Sequence, residues 1–403
     1  MFSRRFRRQF FSIIRLVIFL CFLENSLPCG RSVIKLVWTK SPRSSTPLFR
    51  VVQDGKVGFV DRFGKLVIPP QFDDDMNETG DFVEGLARVR INGKWGYVNP
   101  GGQVVISPQF DYSFDFSDGL ALVRLSYEKD SPAKIGYIDK AGTVVLSLPY
   151  SSASDFSEGA AAVVTADRKL GYIDKTGNVM IEPQFALAEP FHDGRARVAV
   201  DGICWVPGSF NRRVASPTVM PQADDCGNPP AWVEEPCLQG FIDRSGNFVV
   251  PPRFTSTRDF SEGLAAVEMD GQWGFVNQEG AFAIEPRFEQ AWSFSEGLAV
   301  VKTNHKLGYI DHGARFVILP TYDSALPFTN GIAKVGEKGK WSYIDRTGAA
   351  IPALKRASSA GSFVQGLADM LLRDGGKGWI NKDGKIVYRY RSPRNFDFKP
   401  SLP

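Results

Sequence analysis

The chain has 403 residues, of which 43% are hydrophobic and 12% aromatic, so it can bury a core and is not intrinsically disordered. Its 39 Gly and 26 Pro indicate many turns and few long helices. The net charge of +4 comes from the N-terminus, because residues 1–50 hold ten Lys or Arg and one Glu, and the remainder holds 38 basic and 43 acidic residues. An acidic remainder argues against a nucleic-acid partner, which requires a basic face.

Residues 1–30 are predicted to be a signal peptide or an N-terminal membrane anchor. Four arginines between residues 4 and 8 precede the apolar stretch Phe10–Leu23, whose length suits a signal-peptide core better than a membrane span. A general and a twin-arginine export signal both fit, and no A-x-A cleavage site follows. We expect export to the periplasm, the cell envelope or the medium, with membrane contact only through this segment. Residues 31–47 are predicted to be a linker.

A Gly–aromatic pair recurs along the chain with spacings of 34 to 40 residues, apart from one interval of 69 residues. A fixed period of this size indicates a repeat architecture. Ser342-Tyr343 is a ninth pair with Ser in place of Gly. The other eight pairs begin at Gly58, Gly96, Gly136, Gly171, Gly240, Gly274, Gly308 and Gly378.

Residues 297–320 show how one unit is built. The apolar segment Gly297–Lys302 is followed by a tight link to Leu307–Asp311, and a second turn leads to Arg315–Pro320. These segments predict three strands of an antiparallel meander. In most units the second turn has Asp or Asn first and Gly fourth, which predicts a type I turn. We therefore interpret these acids as turn caps and not as calcium ligands, which would need D-x-D spacing.

Aromatic residues and glycines at fixed places in the repeat are predicted to form its core and its turns. Each third strand ends near a Pro, which cannot donate to a ladder, and an aromatic residue can then pack under the neighbouring unit. The varied, charged residues are expected to face solvent. The predicted repeat core consists of Phe82, Trp95, Gly96, Phe116, Phe156, Phe260, Trp273, Gly274, Phe294, Gly308, Phe328 and Trp341.

These features resemble the WG repeat, a family named for its Trp-Gly pair. Trp95-Gly96 and Trp273-Gly274 carry the pair, and other units place a different apolar residue at the Trp position. The resemblance covers roughly residues 50–387. It implies an interaction module of a kind found mainly in bacterial proteins, often exported.

The sequence predicts an all-β tandem repeat of about nine three-stranded antiparallel meanders over residues 48–390, followed by a polar tail over 391–403. We expect an open, solenoid-like array, because nine unequal units and a long insertion do not require closure. A closed, β-propeller-like ring is the alternative.

The long interval contains an insertion, residues 203–239, between two intact strands of one unit. Cys204 and Cys237 lie at its two ends, so in an exported chain we favour a disulfide between them, with Cys226–Cys237 as the rival pairing. A non-repetitive loop on a rigid scaffold is a common location for binding residues. The candidate binding residues are Trp205, Phe210, Arg212, Arg213 and Trp232.

No catalytic, metal or cofactor motif was found in the sequence. The three His have no metal-ligand spacing, and no nucleophile elbow, P-loop or dinucleotide fingerprint occurs. We therefore predict a non-catalytic scaffold, without cofactor, that binds a protein partner at the cell envelope or outside the cell. The alternative is a lectin-like, carbohydrate-binding protein. Solvent exposure of Tyr97, Tyr137, Tyr172 and Tyr309 would favour it.

Overall fold

The computed structural model describes residues 47–74, 80–126, 134–200, 237–355, 360–372 and 376–390. The chain divides into two compact units, Met1–Ser44 and Ser45–Pro403, and all described residues belong to the second. No helix in this part of the chain is long and apolar enough to cross a membrane.

Within the described residues, the strands form nine small antiparallel sheets, which we call blades 1–9 in chain order. Blades 1 and 2 contain β1 (Leu48–Gln53), β2 (Lys56–Asp61) and β3 (Leu66–Asp73), then β4 (Ala87–Ile91), β5 (Lys94–Val98) and β6 (Val104–Phe110). Blade 3 contains β7 (Tyr112–Ser113), β8 (Ala121–Ser126), β9 (Lys134–Ile138) and β10 (Val144–Leu148). Blade 4 contains β11 (Ser152–Ala153), β12 (Ala160–Val164), β13 (Leu170–Asp174) and β14 (Val179–Phe185).

The second half of the chain continues the same pattern. Blade 5 contains β15 (Leu187–His192), β16 (Arg195–Ala199), β17 (Gln239–Ile242) and β18 (Phe248–Phe254). Blade 6 contains β19 (Ser256–Thr257), β20 (Leu264–Met269), β21 (Gln272–Asn277) and β22 (Phe282–Phe288). Blade 7 contains β23 (Gln290–Ala291), β24 (Ala299–Thr303), β25 (Lys306–Ile310) and β26 (Phe316–Tyr322). Blades 8 and 9 contain β27 (Ser324–Ala325), β28 (Ile332–Glu337), β29 (Lys340–Asp345) and a 3-10 helix (Pro352–Leu354), then β30 (Leu367–Leu371), β31 (Lys377–Asn381) and β32 (Ile386–Tyr390).

A regular blade adds a short first strand to the three predicted strands. In blades 3 to 7 this strand pairs with the second, the second with the third, and the third with the fourth. The fourth strand has the most exposed side chains, as in β26 of blade 7, and therefore lies at the outer edge of the blade. The short first strand forms the opposite, inner edge.

The nine blades close into a ring, because blade 9 packs against blade 1. Phe49, Val51 and Val60 of blade 1 share a core with Leu367 of blade 9. The Trp379 indole N–H donates to the Arg50 carbonyl at 2.9 Å, and its ring lies 5.2 Å from that of Phe49. The predicted open array is therefore wrong, and the propeller-like alternative is confirmed. An open array would leave the apolar faces of the two terminal blades without cover.

Most of the predicted repeat core is buried, with two exceptions. Phe82 is only partly buried, although its ring lies 4.9 Å from that of Phe59. Trp341 is 39% exposed, so its assignment to the core was wrong. Trp95 pairs with Phe110, and Trp273 with Phe288, at the end of the outer strand. In blade 8 the described residues form no outer strand, and the 3-10 helix follows β29 instead, so no aromatic partner covers Trp341.

The same difference explains why blade 8 has Ser at the repeat glycine. A Cβ on Gly96 would lie 2.5 Å from the Ile106 carbonyl oxygen, because the outer strand crosses directly over this position. The described residues of blade 8 form no such strand, and Ser342 is exposed. The repeat glycine is therefore required by the close approach of the outer strand.

We predict that Gly96→Ala lowers the free energy of unfolding by about 1–3 kcal/mol, because the added methyl group overpacks the contact with Ile106. The matched control is Ser342→Ala, at the equivalent position of blade 8, which should change it by less than about 0.5 kcal/mol. Urea unfolding of the full chain measures both values. Equal effects of the two substitutions would contradict this explanation.

Candidate functional site

Blades 2 to 8 are joined, each to the next, by a hydrogen bond from a glycine amide to an acidic side chain, which we call the clasp. In blades 2 to 7 an acid–Gly pair forms a two-residue hairpin at the start of the blade, as in Ser295–Leu298. Both residues have positive φ, for example 54° at Glu296 and 82° at Gly297, which is typical of a type I′ turn. The carboxylate of each acid then accepts from the Gly N–H of the next blade. The six pairs are Glu84–Gly119, Asp118–Gly159, Glu158–Gly194, Asp193–Gly263, Glu262–Gly297 and Glu296–Gly331.

The hydroxyl groups of the repeat are also used between blades. Ser295 Oγ donates to the Phe328 carbonyl at 2.8 Å, and Tyr309 Oη donates to the Leu326 carbonyl at 2.8 Å. Tyr97, Tyr137 and Tyr172 make the equivalent bond, and all four tyrosines are 0% exposed. These buried rings cannot stack on sugars. The solvent exposure of the tyrosines that would have favoured the carbohydrate-binding alternative is therefore not observed.

Cations on β4, β16 and β28 reach backbone carbonyls in the segment that begins the following blade. Arg88 Nη1 donates to the Ser113 carbonyl at 2.6 Å, and Arg197 Nη1 donates to the Thr257 carbonyl at 2.8 Å. Lys334 Nζ donates to the Ala360 carbonyl at 2.6 Å. The two arginines also meet acids of that following blade, since Arg88 Nε lies 3.1 Å from Asp115 Oδ1. These charges therefore serve to join blades.

Asp155 extends this charged cluster, and its environment disfavours the charged form of its carboxyl group. Its Oδ1 is buried and accepts no hydrogen bond from the described residues. The pKa of Asp155 is raised to about 6, chiefly by burial and secondly by the Asp115 carboxylate, while Arg88 acts in the opposite direction. Burial also raises the pKa of Asp115, against the effect of Arg88.

We predict that Asp155→Asn stabilises the ring at neutral pH. Between about pH 4 and about pH 6 folded Asp155 keeps a proton that the unfolded chain has lost, so the free energy of unfolding falls as pH rises through this window. The substitution should raise the free energy of unfolding by about 1 kcal/mol at pH 7.5, because partial exposure screens much of the effect of the pKa shift. It should have little effect at pH 4. Urea titrations at the two pH values test this, with the exposed Glu182→Gln as control. A loss of stability at pH 7.5 would contradict it.

Two neighbouring clefts lie at the seam between blades 9 and 1, and we call them the seam clefts. They measure about 290 Å³ and about 370 Å³ and share Asp81, Asp369 and Trp379. The larger one is lined mainly by charged side chains, including Arg50 and Arg88. Asp155 lines neither cleft, so it does not pair with Asp115 across a ligand-sized space there.

The predicted binding loop lies outside the described residues, except at its end. This holds for Cys204, Trp205, Phe210, Arg212, Arg213, Cys226 and Trp232. Cys237 is described, is 3% exposed and is disulfide-bonded. Its partner is not among the described residues, so the pairing with Cys204 stays a prediction.

The residues that sequence reasoning missed are the clasp acids. From the sequence, no role was assigned to Glu84, Glu158, Glu262 or Glu296. Their recurrence as Glu or Asp, directly before a Gly of the same hairpin, was the available signal. The turn caps were assigned correctly, since Asp61 Oδ1 accepts from the amides of Phe63 and Lys65 at 2.9 Å each.

Comparisons with known proteins agree with the fold. No curated protein matches the sequence. A solved structure described as the eukaryotic initiation factor is similar with a TM-score of 0.56 at 10% identity, covering 86% of this chain and 97% of that one. BamB from Moraxella catarrhalis has a TM-score of 0.38 at 10% identity, covering 76% of this chain and 90% of that one. At these identities the first similarity concerns the fold alone.

The sequence profile of the WG containing repeat matches seven segments, which together span more than half of the chain. They are residues 58–95, 95–127, 135–167, 171–202, 240–273, 273–306 and 308–341. These segments fall within blades 1 to 8, whose Gly–aromatic pairs and clasps have just been described. The chain therefore belongs to the WG containing repeat family.

Proposed function

We propose that the protein is a non-catalytic scaffold that binds another protein through the insertion over residues 203–239. The observation that carries this proposal is the register of blade 5. Ala199 of β16 and Gln239 of β17 are direct partners, so the insertion starts and ends at adjacent points of an unbroken hairpin. In blade 2 the same link is the two-residue turn Asn92-Gly93. A rigid ring with one long, non-repetitive segment at one hairpin is the arrangement in which loops carry recognition.

The use of the repeated polar groups supports a non-catalytic role. The clasp acids accept glycine amides, the turn acids cap their own turns, and the tyrosine hydroxyls bond the next blade. A catalytic acid or base would need a group that is available to a substrate. The repeat therefore explains these side chains as structural, and the insertion is the part of the sequence that it does not explain.

The proposed compartment is the cell envelope or the extracellular space. Disulfides persist in oxidising environments, and Cys237 is disulfide-bonded at the end of the insertion. The arginine-rich, apolar segment at residues 1–30 supports the same proposal, although it lies outside the described residues.

We expect the immobilised full chain to retain one protein in stoichiometric amount from envelope and culture fractions. A variant with residues 201–237 replaced by Asn-Gly should fold, because Val200 and Leu238 are then joined as Ile91 and Lys94 of blade 2 are joined by Asn92-Gly93. It should lose the partner, because the insertion is removed. Quantitative pull-down with mass spectrometry measures both.

The matched control is Phe63→Ala, which removes an exposed ring (69% exposed) on blade 1 and should leave binding unchanged. Trp205→Ala and Trp232→Ala then test individual residues of the insertion, each with an expected loss of at least about tenfold in affinity for a binding hot spot. Retention of the partner by the loop-replaced variant, or recovery of polysaccharide in place of a protein, would contradict the proposal.

A further inference from the structure

Blade 8 leaves the outer side of its third strand without a partner strand among the described residues. In blades 3 to 7 a fourth strand pairs with the third, whereas the described part of blade 8 contains only β27, β28 and β29. The first three residues of β29 are Lys340, Trp341 and Ser342, and all three are exposed. We call this stretch, residues 340–342, the open edge.

The open edge results from the position of one proline. In blades 1, 2, 4, 5, 6 and 7 a Pro lies six residues after the residue that ends the second turn, as Pro320 does after Ala314. In blade 8 Pro352 lies only four residues after Gly348. Pro352 cannot donate to a ladder and begins the 3-10 helix, whose Leu354 is buried in a core shared with blade 9. The described chain therefore leaves β29 before it can cover the open edge.

The backbone of Trp341 is available to an added strand. Alternate residues of a strand direct their N–H and C=O groups to opposite sides. The Tyr343 carbonyl accepts from the Ile351 N–H at 2.8 Å, on the outer side of β29. Trp341 lies two residues earlier, so its N–H and C=O point to the same side, where the described residues supply no strand. The backbone groups of Ser342 point the other way, towards Val335 of β28.

The Trp341 ring is held on one side and exposed on the other. Lys334 Nζ lies 4.7 Å from its ring centroid, much as the Arg88 guanidinium lies 5.3 Å from that of Trp95. Trp95 is nevertheless 1% exposed, compared with 39% for Trp341. The difference is Phe110, which pairs with Trp95 from the outer strand of blade 2. A segment that completes blade 8 should therefore place an aromatic residue opposite Trp341.

The open edge also lacks an acid that the outer strand supplies in other blades. Lys56, Lys94 and Lys306 begin the third strand of blades 1, 2 and 7, and each pairs with the Asp that follows the last aromatic residue of the outer strand. In blade 1 this Asp is Asp73, at 2.7 Å. Lys340 begins β29 in the same way, and no ion pair joins it to another described residue. An acid after the aromatic residue would restore this pair.

We propose that the open edge binds an extended segment of a partner protein, which adds to blade 8 as its outer strand and carries an aromatic residue followed by Asp or Glu. The aromatic residue lies opposite Trp341 and the acid pairs with Lys340, as Phe110 and Asp111 do in blade 2. Main-chain hydrogen bonds supply affinity in this mode of binding, and the two side chains supply specificity. The surface belongs to blade 8 and does not depend on the role proposed for the insertion in blade 5.

The test uses a synthetic peptide with the sequence of residues 104–111, Val-Val-Ile-Ser-Pro-Gln-Phe-Asp, which is the outer strand of blade 2 and the Asp after it. Added to the full chain, the peptide should slow hydrogen exchange at the Trp341 amide and leave the Ser342 amide unchanged, because the latter already faces β28. Fluorescence anisotropy of the labelled peptide measures affinity. The matched control peptide carries Phe110→Ala and should bind at least about tenfold more weakly.

Substitutions in the full chain locate the binding. Trp341→Ala should weaken binding of the peptide at least about tenfold, whereas Phe63→Ala, which removes an exposed ring on blade 1, should leave it unchanged. If Trp341→Ala does not fold, exchange at the Trp341 amide of the unsubstituted chain still decides. The proposal would be overturned by unchanged exchange at Trp341 with saturating peptide, or by equal affinity of Trp341→Ala. Slower exchange at Trp341 with rising protein concentration, in the absence of peptide, would identify a second copy as the occupant and would also overturn it.

Discussion

The ring depends on a hydrogen bond between neighbouring two-residue turns. An acid in the left-handed conformation presents its carboxylate to the glycine amide of the next blade, and Glu296 accepts from Gly331 at 2.8 Å. The contact is charge-assisted, and its repetition from blade 2 to blade 8 fixes each blade relative to the next. The aromatic contacts have the same direction, since Tyr309 of one blade meets Phe328 of the following one. One short motif thus specifies both the turn and the packing between blades.

The two irregular places in the ring show what the regular parts require. Blade 8 has no outer strand among the described residues, and there the repeat glycine becomes Ser342 while Trp341 becomes exposed. At the seam, Pro47 precedes Leu48 where the following blades have the clasp glycine, so no N–H is available there, and the rings of Phe49 and Trp379 contact each other across this seam. At each place a change of sequence accompanies a specific change of structure. Contacts with neighbouring strands therefore determine the residues at these repeat positions more than local conformational propensity does.

Much of the blade could be predicted from the sequence, because its signals are local. Strand periodicity, the Asp-x-x-Gly turns and the buried aromatics such as Phe156 all appear within one repeat. Closure could not be predicted in this way, because it depends on Phe49 and Trp379, which are 330 residues apart in the sequence and meet only in the ring. The clasp was missed for a similar reason, since Glu296 looks like a solvated turn residue until Gly331 is placed beside it. The role of the insertion cannot be read from the repeat at all.

The measurement that tests the clasp most directly is amide hydrogen exchange at Gly331 in Glu296→Ala, together with the free energy of unfolding. We predict faster exchange at Gly331 and a loss of about 1–2 kcal/mol, with a smaller loss for Glu296→Gln, which keeps a neutral acceptor. The exposed turn residue Glu279 provides the control substitution Glu279→Ala, which should change neither quantity. If the Gly331 amide of Glu296→Ala exchanged as slowly as in the unsubstituted chain, and the free energy of unfolding were unchanged, the view that this bond holds the blades together would be contradicted.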